Sequence, residues 1–251
     1  MLLVSAFLGT SAFAREWNEY KRQHFLIYYK EAPFDFVESV ALAAEQYYLE
    51  ITDNLGFTRF KGWGYDERAK IYIYDDADDY VNNGKQAGWS HGVASPRDKV
   101  IRTFPSAHGF FDSILPHELG HIIFREFVGF KAQIPAWFEE GVAMNQEKAR
   151  RWGSHDIVRK AMKDGTFKTL DELTITSLRY KTSKDLVDLF YAESASAVNF
   201  LINEYGKQRF VRLCRKLQEG GPFSWALDSV YVRFKAVSDF NDAWVKFLEN
   251  E

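Results

Sequence analysis

Leu115-Pro116-His117-Glu118-Leu119-Gly120-His121, followed at a distance by Pro135-Ala136-Trp137-Phe138-Glu139-Glu140-Gly141, is the stretch around which the rest of this chain is organised. On an α-helix, His117 and His121 fall on one face, one turn above the other. Two neutral imidazoles at that spacing can meet a single Zn²⁺ at about 2.0–2.1 Å each. Glu118 projects beside them, where a carboxylate reaches the attacking water without ligating the metal. A catalytic zinc needs a third protein ligand and one open position. Eighteen residues separate His121 from Glu140. That is room for the rest of one helix, a turn over Val128–Ile134 and the start of a second helix. Pro135 suits the beginning of that second helix, because its missing N–H would be unpaired there anyway. Glu140 then sits about a turn and a half in, able to face back toward the two His. With six His in 251 residues, H-E-x-x-H arises by chance in roughly one chain in a hundred of this composition.

H-E-L-G-H followed by P-A-W-F-E-E-G resembles the gluzincin metallopeptidases, the superfamily of thermolysin and the aminopeptidase-N-type enzymes. The nearer likeness is to the small bacterial peptidase MA-like proteins, which pair an H-E-L-x-H helix with P-x-W-x-x-E-G. In the aminopeptidase-N-type enzymes the Glu directly before the Gly ligates zinc. The resemblance therefore implies a His117, His121, Glu140 ligand set, the thermolysin-like one, and leaves Glu139 as a neighbour. It runs through most of the mature chain, but these two motifs are its specific parts.

At this length, with 46% apolar residues, the chain can bury a sizeable core in one or two lobes. A net charge of −3 gives no argument for a nucleic-acid partner or an anionic membrane surface. No repeat or low-complexity segment interrupts it. The single Cys, Cys214, lies in a helical-looking run and reads as a buried structural thiol. Leu2–Phe13 is apolar but too short to span a bilayer, which takes about 20 helical residues. It ends in Ser11-Ala12-Phe13-Ala14, which suits signal-peptidase cleavage after Ala14. No Lys or Arg precedes it. Residues 1–14 are accordingly expected to be a signal peptide, with the mature protein exported to the periplasm or beyond the cell and carrying no stable membrane span.

Along the mature chain, 24–29 and 70–74 read as strands. Residues 34–55 read as a helix closed by Gly56, and the acidic run 75–79 as a solvated turn. Trp89–Ala94 and Lys99–Arg102 are expected to be antiparallel strands around Ser95–Asp98. The first helix of the motif is expected to start at Asp112 or Ser113, which are good N-caps. Further helices are expected over 155–163, 185–205, 206–218 and 238–248. Strands dominate before the motif and helices after it. The expected fold is α+β and zincin-like: a mixed sheet lobe over about 15–130 that includes the zinc helix, and a helical lobe over about 131–251.

The resemblance implies more. In gluzincins an edge strand before the zinc helix pairs with extended substrate, and Gly92, Val93 and Ala94 are the candidates by position. Aminopeptidase-N-type enzymes use a Tyr downstream of the Glu ligand as oxyanion donor. Tyr191, fifty-one residues beyond Glu140, is the candidate, with Tyr180 and Tyr205 as rivals. Those enzymes also place a Glu on the edge strand for the substrate amine, and Gly92-Val93-Ala94-Ser95 has no acid. An endopeptidase or processing enzyme acting on peptides or proteins is therefore favoured, with Glu118 as general base. Ligating His residues usually donate their other N–H to a carboxylate or carbonyl. Where thermolysin has an Asp four residues past its ligand Glu, this chain has Met144, so that partner must come from elsewhere, with Asn145, Glu139 and a backbone carbonyl as candidates. His24, His91, His108 and His155 read as surface or satisfied side chains, His91 adjoining the candidate substrate strand. The alternative function is a non-hydrolytic zinc-binding scaffold or binding protein of the same fold. The oligomeric state stays open.

Overall fold

The computed structural model describes residues 16–57, 62–86, 92–105, 107–178 and 182–250, with the side chains of 148–152 left out. The expected leader at 1–14, His91 and Tyr180 lie outside the described residues, as does the 89–91 part of the expected strand. The architecture is α+β, with a mixed N-terminal sheet and a mostly helical remainder.

Five strands form the sheet in the order β1 (Asn18–Lys21), β2 (Phe25–Tyr29), β3 (Ala69–Ile73), β5 (Val100–Thr103), β4 (Gly92–Ser95). The three central strands run parallel and the two outer ones antiparallel to their neighbours. Phe25, Ile27, Ala69, Ile71, Ile73 and Ile101 are fully buried on one face, which the strand period of two demands. Against that face lies helix α1 (Phe34–Asn54), whose buried stripe Val37, Val40, Ala41, Ala44, Tyr47, Tyr48 and Ile51 follows the helical period.

The helix of the H-E-L-G-H motif, α3 (Leu115–Val128), buries Leu115, Leu119, Ile122, Ile123, Phe124 and Phe127. It does not begin at an Asp112 or Ser113 cap. A π turn over Phe110–Ile114 precedes it, entered at Gly109 with φ +71°. The Gly109 carbonyl accepts from both Ser113 N (3.0 Å) and Ile114 N (3.2 Å). Pro116 explains the difference. It has no N–H to return to residue 112, and its ring crowds that carbonyl, so the turn before it widens. Tyr47 Oη of α1 donates to Phe111 O at 2.8 Å and ties the π turn to the sheet lobe.

The acidic run also differs from expectation. It opens a short helix, α2 (Ala77–Asn82), where Asp76 caps Asp79 N at 2.8 Å. Asp79 is largely buried and takes hydrogen bonds from Asp75 N and Asn83 Nδ2. Beyond α3, helices α4 (Ala136–Met144), α5 (Lys148–Asp164), α6 (Leu170–Ile175), α7 (Lys184–Tyr205), α8 (Lys207–Gln218), α9 (Phe223–Val230) and α10 (Val237–Asn250) complete the chain. One apolar cluster runs from Phe25 to Leu248 and joins the sheet to these helices. None of the described helices is long and apolar enough to cross a membrane.

Candidate metal centre

Glycine sets the distances on which this site depends. At Gly120 of α3, an added Cβ would lie 3.0 Å from Ala143 Cα of α4. At Gly141 of α4, it would lie 2.2 Å from Ser194 O of α7. The two glycines of the motifs thus mark backbone-to-backbone crossings, and α3, α4 and α7 stack closely enough for their side chains to share one pocket. Trp137 fills the layer beneath, fully buried, with its indole donating to Thr174 Oγ1 at 2.9 Å.

Three side-chain atoms converge above these crossings. His117 Nε2 lies 3.1 Å from His121 Nε2, and Glu140 Oε2 lies 3.5 Å from each of them. Each residue offers one ligand atom, and all three atoms sit within 4.8 Å of one another. Tetrahedral bonds of about 2.0–2.1 Å to one ion would place donor atoms roughly 3.3 Å apart. The outward nitrogens both face acids, and that of His117 is hydrogen-bonded to one. His117 Nδ1 meets Glu147 Oε1 at 2.9 Å, and His121 Nδ1 faces Glu139 Oε1 at 3.6 Å. With N–H on the δ nitrogens, both ε lone pairs point inward beside Glu140 Oε2, which is buried and receives no hydrogen bond. Three inward lone pairs repel one another unless a cation sits between them. The donor set therefore fits a divalent ion bound by nitrogen and oxygen, zinc among them.

The electrostatics agree. Burial alone would lower the His121 pKa, but Glu139 and Glu140 raise it to about 10. Burial likewise opposes the proton on His117, and Glu140 and Glu147 more than offset it, so its pKa rises too. Burial would raise Glu140, yet the two imidazoles hold it at about 2. Four carboxylates around two imidazoles make a pocket that demands positive charge, whether as protons or as a metal.

Glu118 stands on α3 beside this cluster and accepts from Ala94 N at 3.1 Å. Burial pushes its carboxyl above the ordinary range, partly countered by the two His. Ala94 belongs to β4, an edge of the sheet. Gly92 of that strand is pressed on α3's entrance, where an added Cβ would fall 2.5 Å from Ile114 Cγ2. The strand carrying Gly92, Val93 and Ala94 thus lies along the rim of the centre. Tyr191, on α7, brings its ring to 6.5 Å from that of His117. Its rival Tyr205 packs elsewhere, against Phe200, Tyr231 and Phe234.

The partners of the imidazoles differ in part from expectation. Glu139 does face His121, and Arg125 grips it, with Nε to Oε1 at 2.6 Å and a second bond from Nη2 to Oε2. Asn145 turns away toward α7. Glu147 was not among the candidates, although it is the first acid after Glu140 in the chain. It lies beyond the end of α4, where helical spacing no longer predicts direction.

No curated protein matches the chain. The Peptidase MA superfamily profile matches residues 57–250, from just before β3 to the end of α10, and so takes in α3, α4 and α7 with every residue of the cluster. On that match, over more than half its length, this chain belongs to the Peptidase MA superfamily.

Proposed function

We propose that the chain is a zinc metallopeptidase of zincin-like fold, residues 15–251 forming one domain, exported by the leader at 1–14 and acting as an endopeptidase or processing enzyme. The observation that carries this reading is the convergence of His117 Nε2, His121 Nε2 and Glu140 Oε2, with the Glu118 carboxylate beside them. These three residues hold the metal, which when bound polarises the scissile carbonyl and acidifies water. β4, with Gly92, Val93 and Ala94, is the edge strand along which an extended peptide would lie, with the Ala94 N–H itself held by Glu118. Glu118 takes the proton from the attacking water and delivers it to the departing amine nitrogen, a task that suits a carboxyl raised toward neutrality by burial. The Tyr191 hydroxyl donates to the oxygen of the former carbonyl as charge develops there. Export is supported by the small-x-small ending at Ser11–Ala14.

Metal analysis and peptide profiling test this. Purified protein should carry about one zinc per chain, and His117→Ala should lose it. Glu118→Gln should keep zinc and fold while abolishing cleavage of every peptide the wild type cuts. Zinc well below that ratio and unchanged by His117→Ala removes the metal reading. A biological effect that survives Glu118→Gln favours a zinc-binding scaffold over a hydrolase.

A further inference from the structure

Behind the metal centre, polar groups, all buried except the half-buried His155, link α10 to α4 in an unbroken line. Trp244 Nε1 of α10 lies 3.0 Å from Ser196 Oγ of α7. Ser196 Oγ lies 2.7 Å from His155 Nδ1 of α5. His155 Nε2 lies 3.0 Å from Asn199 Oδ1, back on α7. Asn199 Nδ2 donates to Asn145 Oδ1 at 3.1 Å. Asn145 Nδ2 then donates to two carbonyls, Gly141 O at 2.7 Å and Ala195 O at 2.8 Å. Ser196 and Trp244 are fully buried, and Asn145 and Asn199 nearly so.

Directions follow from the carbonyl end. Carbonyls can only accept, so Asn145 turns its NH₂ to Gly141 O and Ala195 O and its Oδ1 to Asn199 Nδ2. Asn199 Oδ1 is then an acceptor, taking bonds from Asn203 Nδ2 and from His155 Nε2–H. In the neutral imidazole Nδ1 accepts in turn from the Ser196 hydroxyl, whose oxygen accepts from the Trp244 indole. The line runs one way, from α10 to the carbonyl of Gly141, the residue directly after Glu140. Gly141 O already has its helical partner in Asn145 N at 3.2 Å. The Asn145 side chain is therefore not needed to satisfy that carbonyl. What it adds, through Ala195 O and Asn199 Nδ2, is a directional tie between the end of α4 and α7, close to where Gly141 lets the two backbones touch.

We propose that this chain of hydrogen bonds positions Glu140, with Asn145, Asn199 and His155 as positioning residues of the metal centre. The proposal rests on Glu140 being a metal ligand. Glu140 Oε2 has no hydrogen bond of its own, so its placement depends on how α4 is set against α7 and α3. The close approach of Gly141 to the Ser194 backbone and Val198 sets the spacing of the two helices but supplies no directional bond of its own. A buried hydrogen bond to the Ala195 carbonyl resists sliding of one helix along the other.

The test compares three variants by zinc affinity, measured by competition with a chromophoric chelator, and by the visible d–d spectrum of the cobalt-loaded protein. His155→Phe keeps the ring volume and cuts two links; the zinc Kd should weaken about tenfold or more, and the cobalt bands should shift. His155→Gln can accept from Ser196 and donate to Asn199, and should hold Kd within about threefold of wild type. Val158→Ala, on the same helix and fully buried, should lower Tm with Kd and spectrum unchanged. Should His155→Phe not fold, Ser196→Ala cuts the same line with a smaller change, and is expected to weaken Kd at least about threefold. If these cuts lower Tm but leave Kd and the cobalt bands as in Val158→Ala, the network is purely structural and the proposal is overturned. Absence of zinc binding by the wild type overturns the metal reading and this proposal together.

Discussion

His117 and His121 each carry an acid on the ring nitrogen that faces away from the other imidazole, and this has a consequence that can be measured in pH. Glu139 and Glu140 raise His121 to about 10, so the metal-free centre keeps a proton there through the neutral range. Because that folded-state pKa lies above the unfolded value, the proton stabilises the metal-free fold fully below about pH 6.5, and the contribution is lost as pH rises through about 10. A metal ligand must be the neutral imidazole, so binding releases protons. Apparent zinc affinity should therefore climb about tenfold per pH unit for each proton released, from pH 6 to pH 8. Chelator competition at pH 6, 7 and 8 measures the slope; a flat line would mean that no proton is displaced. Tyr191 supplies a second expectation at this scale. Tyr191→Phe removes one hydroxyl and keeps the ring. A donor that acts on the developing oxyanion is worth about 10²–10³ in kcat, or roughly 2.7–4 kcal/mol, with KM and zinc content little changed. A kcat within about threefold of wild type would reduce Tyr191 to a packing residue.

At the scale of elements, the helix crossings carry the site. Gly141→Ala would drive a Cβ to 2.2 Å from Ser194 O and 2.7 Å from Val198 Cγ2. Neither α7 backbone nor a buried Val yields cheaply, so α4 must shift, at a cost of about 1–3 kcal/mol. Zinc should bind more weakly, because Glu140 moves with it. Gly153→Ala is the contrast. It lies in α5 with nothing within 4 Å of the added Cβ, and should stabilise by up to about 1 kcal/mol through helix propensity. Thermal melts and zinc titrations of the pair separate helix displacement from a general intolerance of change. The same crossings show what was legible in the sequence. The i, i+4 spacing of His117 and His121 and the downstream Glu140 are local patterns, and their helices lie where helical periodicity puts them. The strands of β2, β3, β4 and β5 were legible for the same reason. β1 has no core-facing alternation to announce it; its burial pattern is almost wholly exposed. α6 is six residues long, and its sign was the Thr169–Glu172 capping box rather than a periodic stripe. Glu147 and the line from Trp244 to Asn145 were not legible, because they join residues up to 99 positions apart through tertiary packing. No pattern in one chain segment encodes such a meeting.

For the whole molecule, the question is how much of the fold depends on the metal. In a zinc finger the ion supplies the folding energy outright. Here α3 and α4 belong to an apolar cluster that runs from Phe25 to Leu248 and includes Leu119, Ile122, Phe124, Trp137, Phe138 and Val142. Those side chains hold the two helices together whether or not an ion joins His117 and His121 to Glu140. The metal-free protein should therefore stay folded, with the ion adding only its binding linkage. At free zinc about 100 times Kd, that linkage is about 2.7 kcal/mol. For a chain of this size, 1 kcal/mol moves Tm by about 2–4 °C. Removing zinc with a chelator should thus lower Tm by roughly 5–11 °C while the far-ultraviolet circular dichroism below the transition stays unchanged. His117→Ala should melt near the chelated wild type and show no further response to the chelator. Loss of the cooperative transition on chelation would make the ion a structural one. An unchanged Tm at saturating zinc would mean that the native state binds no ion at this centre.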